Sequence, residues 1–252
     1  MSKIELDALY RAGASENWQH SSGARSDWAL ASRWINDLKG VKSVLDVGCF
    51  DGQFLASLDG VERFGVEIHE AATERAKSRG IKIVGADYES LAGFSRCFDV
   101  VTAFDVIEHV HDPGYFVRLL VDAVKPGGAV IISTGNTDAL SWRFMGSRYW
   151  YCTIPEHISF INPRWCNWLA DKLGLEIDRV QTFSHKQGAR PEKIKNLVKN
   201  VAYRLAPGLA AFARRRGMGG VDVSGDGALL LTPPNWLTAR DHFIVMMRTK
   251  NG

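Results

Sequence analysis

The stretch Asp46-Val47-Gly48-Cys49-Phe50-Asp51-Gly52 follows a short apolar run and opens a helical pattern. Glycines at such a turn let the backbone reverse tightly and approach a ligand closely. The free N–H groups of the helix that follows suit an anionic group such as a carboxylate. Glu67 stands twenty-one residues after Asp46, at the end of the next apolar run. A carboxylate there can accept both hydroxyls of a ribose. An ordinary strand–helix turn shares the glycines but not the acid, so the combination points to an adenosine-type ligand: NAD, FAD or S-adenosylmethionine. Two further clusters join carboxylates to imidazoles, Asp105-x-x-Glu108-His109 and Glu156-His157. Imidazole takes up a proton near neutral pH, and oxygen ligands with one imidazole suit Mg, Mn or Zn.

These residues need a scaffold, and the hydrophobic pattern supplies one. Trp28, Ala31, Trp34, Ile35 and Leu38 recur at helical spacing within the first forty residues, and Gly40 ends that pattern. From Ser43 onward, short apolar runs alternate with helical stretches. Strands are expected at 43–47, 63–68, 81–84, 98–104, 129–133, 176–183 and 242–247. Helices are expected at 52–58, 71–79, 115–124 and 162–173. This alternation predicts an α/β fold, a doubly wound, mostly parallel seven-stranded sheet with helices on both faces. Four regions follow: N-terminal helices over 1–40, a ligand-binding core over 41–185, a basic helical insert or lid over 186–238, and a last strand within 239–252.

The 252 residues are 46% hydrophobic and 23% charged, with net charge +3. That balance argues against wholesale disorder and gives no electrostatic sign of a nucleic-acid binder. The charge is nevertheless uneven. Residues 186–220 carry nine basic side chains against Glu192 alone, leaving an acidic body with one basic insert. Cys49, Cys97, Cys152 and Cys166 show no CxxC spacing, so neither a zinc site nor a disulfide framework is read from them. The N-terminus lacks the apolar core of a signal peptide, and no apolar run is long enough to span a bilayer. A cytoplasmic protein is expected.

Five stretches, in order, resemble the class I S-adenosylmethionine-dependent methyltransferases across about residues 41–185. They are Val44–Gly52, Gly65-Val66-Glu67-Ile68, Gly85-Ala86-Asp87, Phe98–Val110 and Leu119–Ile132. The resemblance implies S-adenosylmethionine as cofactor, with S-adenosylhomocysteine as product. The implied cofactor-binding residues are Asp46, Gly48, Cys49, Phe50, Gly52, Glu67, Ile68, Asp87, Tyr88 and Asp105. Asp46 and Gly48 would line the methionine end, Glu67 the ribose, and Asp87 the adenine amino group with Tyr88 beside it. Asp105 would lie near the methionine ammonium or the acceptor entry. Phe50 stands where the family usually has the middle glycine of Gly-x-Gly-x-Gly. The Gly-x-Gly-x-x-Gly of NAD enzymes is absent.

Methyl transfer asks the protein mainly to align an acceptor and exclude water, and a hydroxyl acceptor also needs a base or a metal. Asp105-x-x-Glu108-His109 resembles the acid-x-x-Glu-His of ubiquinone-pathway O-methyltransferases, where a divalent metal is associated with it. Here the metal is not favoured. Tyr149–Phe160 resembles the acceptor-side segment of small-molecule and glycan methyltransferases and makes His157 the preferred base, with His109 and Glu108 the other candidates. His111, His185 and His242 are read as structural or surface. Trp142, Phe144, Tyr149, Trp150 and Tyr151 suit either a ring-lined pocket for an aromatic, sugar or prenylated acceptor or the core packing of a long crossover.

Ile194, Leu197, Val198, Val201 and Leu205 share one face of a basic helix. It would serve as a core-packed helix with a solvated basic face, a lid, a dimer contact or a peripheral membrane contact. Gly217–Gly227 reads as a glycine-rich loop and Thr232-Pro233-Pro234-Asn235 as a rigid turn. The expected function is O-methylation of a small molecule, sugar or lipid-linked acceptor. The alternatives are a non-catalytic scaffold, a nucleic-acid methyltransferase and an NAD-dependent oxidoreductase.

Overall fold

The computed structural model describes residues 25–184, 188–209, 212, 233, 234, 236 and 239–250. The expected helices before residue 25, the loop over 217–227, His185, Thr232 and Asn235 lie outside these residues. Seven strands form one sheet: β1 (Ser43–Val47), β2 (Glu62–Val66), β3 (Lys82–Gly85), β4 (Phe98–Phe104), β5 (Val124–Gly135), β6 (Glu176–Phe183) and β7 (His242–Arg248). Their order is β3-β2-β1-β4-β5-β7-β6. β1 to β5 pair in parallel, and β7 runs antiparallel to both β5 and β6.

The central strands are apolar because both faces are covered. Leu45, Val101, Val130 and Val245 belong to one core cluster. Their neighbours Val44, Val100, Ile131 and Ile244 belong to the other, the alternation a strand imposes. On the first face lie α4 (Pro113–Ala123) and α6 (Pro163–Leu173), through Phe116, Leu120 and Leu169. On the second lie α1 (Ser26–Asp37), α2 (Gln53–Ala56) and α3 (Glu70–Ser78), through Trp34, Phe54 and Ala76. α5 (Leu140–Met145) follows β5, and α7 (Arg190–Leu205) precedes β7.

Most expected elements appear within a few residues. α2 is shorter than the expected 52–58 because Gly52 sits outside it in the left-handed region, at φ +76°. At its other end the Ser57 hydroxyl donates to the Phe54 carbonyl (2.6 Å). β5 starts earlier than expected. Its ladder with β4 jumps from Phe98↔Val124 to Val100↔Ala129, so Lys125–Gly128 forms an irregularity inside the strand. The basic helix also differs from a core-packed one: its apolar side chains face outward. Ile194, Leu197, Val198 and Leu205 are exposed, while Asn200 and Tyr203 are buried.

A parallel sheet sends the loops after β1, β2, β4 and β5 to one edge, and the antiparallel β7 starts at that same edge. His242 lies opposite both Gly135 and Phe183, the last residues of β5 and β6. The motif residues meet there.

Candidate active site

Asp46 is buried in β1 and accepts from the Thr102 hydroxyl at 2.7 Å. Burial pushes its carboxyl up to about 8, with Thr102 and Arg25 opposing the shift. Gly48 adopts φ +74°, and a Cβ there would stand 2.6 Å from Val106 Cγ2. Only glycine fits both conditions.

The Glu67 carboxylate is buried and holds the loop rather than lying idle. The amide N–H of Phe50 and that of His69 each donate to one of its oxygens, at 2.8 Å. Desolvation raises its pKa, and these two hydrogen bonds oppose the rise. A carboxylate oxygen has two acceptor positions, so both oxygens retain capacity for a ribose. Phe50 takes φ +48°, the left-handed conformation a glycine would adopt freely. The Arg75 guanidinium lies 5.4 Å from the centroid of its ring. The phenyl group is therefore drawn toward α3.

The other positions of this half divide. Cys49 packs in the core beneath the sheet, its sulfur where a Gly65 Cβ would be 2.5 Å away. Its thiol is shifted up by burial, so only its backbone can face a ligand. Gly52 packs against Ile81 and Ala76, and substitution would force a clash. Ile68 is half-buried behind Glu67. Asp87 is exposed and caps the turn at Tyr88–Gly93 by accepting from the Ser90 N–H (3.1 Å). Tyr88 sets its ring edge-on to Phe116 at 5.3 Å.

Asp105 follows β4 at φ +52° and donates its N–H to the Ser133 carbonyl (3.0 Å). Its carboxylate receives the Arg25 guanidinium at 2.5 Å, and Arg25 also pairs with the fully buried Asp27. Asp27 accepts from the Ser133 hydroxyl as well (2.8 Å). The start of α1 is thereby bolted over the ends of β4 and β5. No motif announced Arg25 or Asp27; they stand at the cap and in the first turn of α1 and meet the site only through the fold.

The second half is built around Glu108. Its carboxylate is buried and accepts from the hydroxyls of Thr134 (2.8 Å) and Tyr151. Burial, then the Asp105 charge, raises its pKa. Its carbonyl accepts the N–H groups of Ile158 (2.8 Å) and Ser159 (3.0 Å), which fixes the chain carrying His157. The His109 and His157 rings meet edge-on at 4.8 Å. His109 Nδ1 lies 3.0 Å from the Glu156 carbonyl and His157 Nδ1 lies 3.0 Å from the Tyr151 carbonyl. A carbonyl only accepts, so each Nδ1 carries the hydrogen and each Nε2 the lone pair of a neutral ring. Burial lowers the two pKa values, to about 3 for His109 and about 4 for His157. The expectation of a near-neutral titration for His157 is thus corrected: both rings stay unprotonated through the physiological range.

Glu108, His109 and His157 also bring one donor atom each within 4.8 Å of one another, the one such group of metal-ligand type among the described residues. One carboxylate and two imidazoles fit a divalent cation. Asp105, the leading acid of the sequence motif, is outside this group and is taken up by Arg25.

Of the two readings for His242, structural or surface, burial selects the structural one. The side chain is buried at the site edge, 3.1 Å from Asp241, with the Tyr151 ring 5.2 Å away. Asp241 further accepts from the Tyr149 hydroxyl. Trp142 stacks on Tyr149 at 5.0 Å and meets Phe160 edge-on at 5.6 Å. Gly135 admits these rings, since a Cβ there would lie 2.8 Å from Tyr151 and 2.9 Å from Trp142. His111 is exposed, as expected.

The carboxylates of Asp46, Glu67 and Asp105, with one guanidinium, match a ligand that carries two cationic centres, one carboxylate and a ribose. Residues 24–180 match the family described as Methyltransferase domain. The ubiquinone biosynthesis O-methyltransferase of Thiobacillus denitrificans is 33% identical over 175 residues, covering 62% of this chain and 75% of that protein. The protein of the same name from Escherichia coli is 30% identical over 183 residues, covering 67% of this chain and 72% of that protein. Among solved structures, a SAM-dependent methyltransferase from Archaeoglobus fulgidus superposes with TM-score 0.58 at 18% identity, covering 88% of this chain and 92% of that one.

Proposed function

From the premise that this chain belongs to the S-adenosylmethionine-dependent methyltransferases, we propose that it methylates an oxygen of a small hydroxylated acceptor. The acceptor class we favour is an aromatic, sugar or lipid-linked molecule, and it occupies the ring-lined half of the site. The names of the similar ubiquinone-pathway enzymes support oxygen as the accepting atom. One observation carries the reading: the neutral His157 imidazole is oriented by the Tyr151 carbonyl beside Glu108 and the aromatic cluster.

The cofactor supplies a methyl group already activated by the sulfonium charge. Asp46, Glu67 and Arg25 would bind and orient it. Trp142 and Tyr151 would hold the acceptor and keep water out. His157 Nε2 takes the hydroxyl proton as the acceptor oxygen becomes nucleophilic. Asp105, across the site, favours the resulting imidazolium through its negative charge. Should a divalent cation serve instead of a free base, Glu108, His109 and His157 are the residues that would hold it. NAD chemistry and nucleic-acid methylation have no comparable support.

The experiment is His157→Ala assayed for S-adenosylhomocysteine release with hydroxylated acceptors. A base of this kind contributes on the order of 10²–10⁴ in rate. Turnover should fall by that factor while S-adenosylhomocysteine still raises the melting temperature as in wild type. Undiminished turnover would remove His157 from the role.

A further inference from the structure

We infer that the outward face of α7 is a docking surface for an anionic lipid bilayer. The helix is inside out. Its inward face carries Glu192, Asn196, Lys199, Asn200 and Tyr203, of which Asn200 and Tyr203 are buried. At 100° per residue the opposite side presents Ile194, Leu197, Val198, Val201 and Leu205. Ile194 is 62% exposed, Val198 60% and Leu205 76%. A helix packing on its own protein would turn this stripe inward.

The charges select the occupant. Arg190–Leu205 holds five basic residues and one acid. Lys193 and Arg204 flank the apolar stripe on one side and Lys195 on the other. Basic side chains at the margins of an apolar stripe reach back to anionic headgroups while the stripe enters the acyl boundary. An apolar protein partner would have no need of such flanks. No helix among the described residues is long and apolar enough to cross a membrane, so the contact is in-plane.

The patch also continues to the acceptor side. The Arg204 guanidinium donates to the Phe144 carbonyl (3.3 Å), which seats α7 against α5. On α5, Leu140 is 80% exposed and Phe144 is also exposed, while Trp142 turns inward. Tyr203 enters the same apolar cluster as Trp142, Tyr149 and Tyr151. A bilayer under α7 would therefore lie next to the aromatic cluster, which deepens the proposed function by favouring a lipid-linked acceptor over a freely soluble one.

The test is flotation of the full chain with phosphatidylcholine vesicles, with and without phosphatidylglycerol, for wild type, Leu197→Glu/Val198→Glu and Lys193→Glu/Lys195→Glu. Wild type should float only with the anionic vesicles. Both variants should lose binding by about tenfold or more, and the charge variant's residual binding should depend less on salt. The substituted side chains are exposed, and an unchanged melting temperature confirms that the variants fold. Absence of flotation with anionic vesicles overturns the proposal. So does flotation that both variants retain, or a dimer by light scattering that Leu197→Glu/Val198→Glu dissolves without any vesicle binding. Thermal stabilisation by S-adenosylhomocysteine is measured on the same samples: its absence would count against the cofactor reading and leaves the vesicle result to be judged alone.

Discussion

Arg25 and Asp105, eighty positions apart, meet at 2.5 Å over the ends of β4 and β5. Asp27 completes the arrangement, so one guanidinium pairs with two carboxylates at the cofactor edge. Removing one partner of a buried ion pair leaves the others uncompensated and costs roughly 3–5 kcal/mol. Arg25→Met is expected to lower stability on that scale. It is also expected to weaken S-adenosylhomocysteine binding, because the one guanidinium near Asp46 and Asp105 is gone. Calorimetric titration and thermal unfolding check the two effects separately. An unchanged affinity would make Arg25 purely structural.

Cofactor affinity should depend on pH through Asp46. Its folded carboxyl titrates at about 8 because burial disfavours the charge. A cationic ligand group beside it favours ionisation, so binding releases a proton below that pH. Affinity should rise as pH increases from 6 toward 8, by up to about tenfold per unit, and then level off. Titration calorimetry in buffers of different ionisation enthalpy measures the released proton directly. Asp46→Asn should bind more weakly at pH 8 and show no such slope. For stability the sign is opposite: the folded pKa lies above the unfolded value near 3.9, so the contribution of Asp46 to the stability of the unliganded protein falls as pH rises between them.

Phe50→Gly tests what the ring does. The left-handed conformation costs a residue with a side chain about 1–2 kcal/mol. The Arg75 contact returns about 0.5–1 kcal/mol, and glycine's greater unfolded-state freedom removes a similar amount. The variant should therefore stay within about 1 kcal/mol of wild type by chemical denaturation. Because Arg75 draws the ring toward α3, S-adenosylhomocysteine affinity should change little. A large gain in affinity would show that the ring obstructs the pocket.

The sheet was legible because β1, β4 and β5 are largely buried on both faces and carry short, mainly apolar runs. Glu67 and Gly48 were legible because a turn and a strand end demand those residue types at that spacing. Arg25, Asp241 and His242 were not. Each gains its meaning from a contact across the sheet edge, such as His242 opposite Gly135, and no local pattern encodes that. Cys49 shows the opposite case: it sits inside the motif, yet the turn after β1 directs its thiol into the core. In α7 the periodicity was plain while the direction was not, because an amphipathic pattern does not say which side is covered.

The paired histidines should contribute acid sensitivity of their own. His109 and His157 are pushed down by burial to about 3 and 4, against about 6.5 in the unfolded chain. Between those values the unfolded state binds more protons, so stability rises with pH across that window and falls as pH drops from 6.5 toward 4. The slope is at most about 1.4 kcal/mol per unit for each ring. His109→Asn should flatten the urea-denaturation profile in this range, with Asn able to keep the hydrogen bond to the Glu156 carbonyl.

Asp241 and His242 stabilise the same edge, and His242 does so with the opposite dependence. Burial alone would lower the His242 pKa, but Asp241, with Asp105 and Glu108 across the site, outweighs it and the value is raised. Its contribution is therefore fully present below the unfolded value near 6.5 and is lost as pH rises through the folded one. Asp241 is held low by His242 and by the Tyr149 hydroxyl despite its burial. Its contribution is present above about 3.9 and is lost as pH falls through the lowered value. Asp241→Asn breaks the pair and should cost roughly 3–5 kcal/mol. Tyr149→Phe removes only one hydrogen bond and should cost about 1–2 kcal/mol. The proton signals of His242 report the difference: its titration should move down in Asp241→Asn and stay nearly in place in Tyr149→Phe. If both variants leave that titration where it is, the protonated state of His242 is set by Asp105 and Glu108 across the site rather than by its neighbour in the chain.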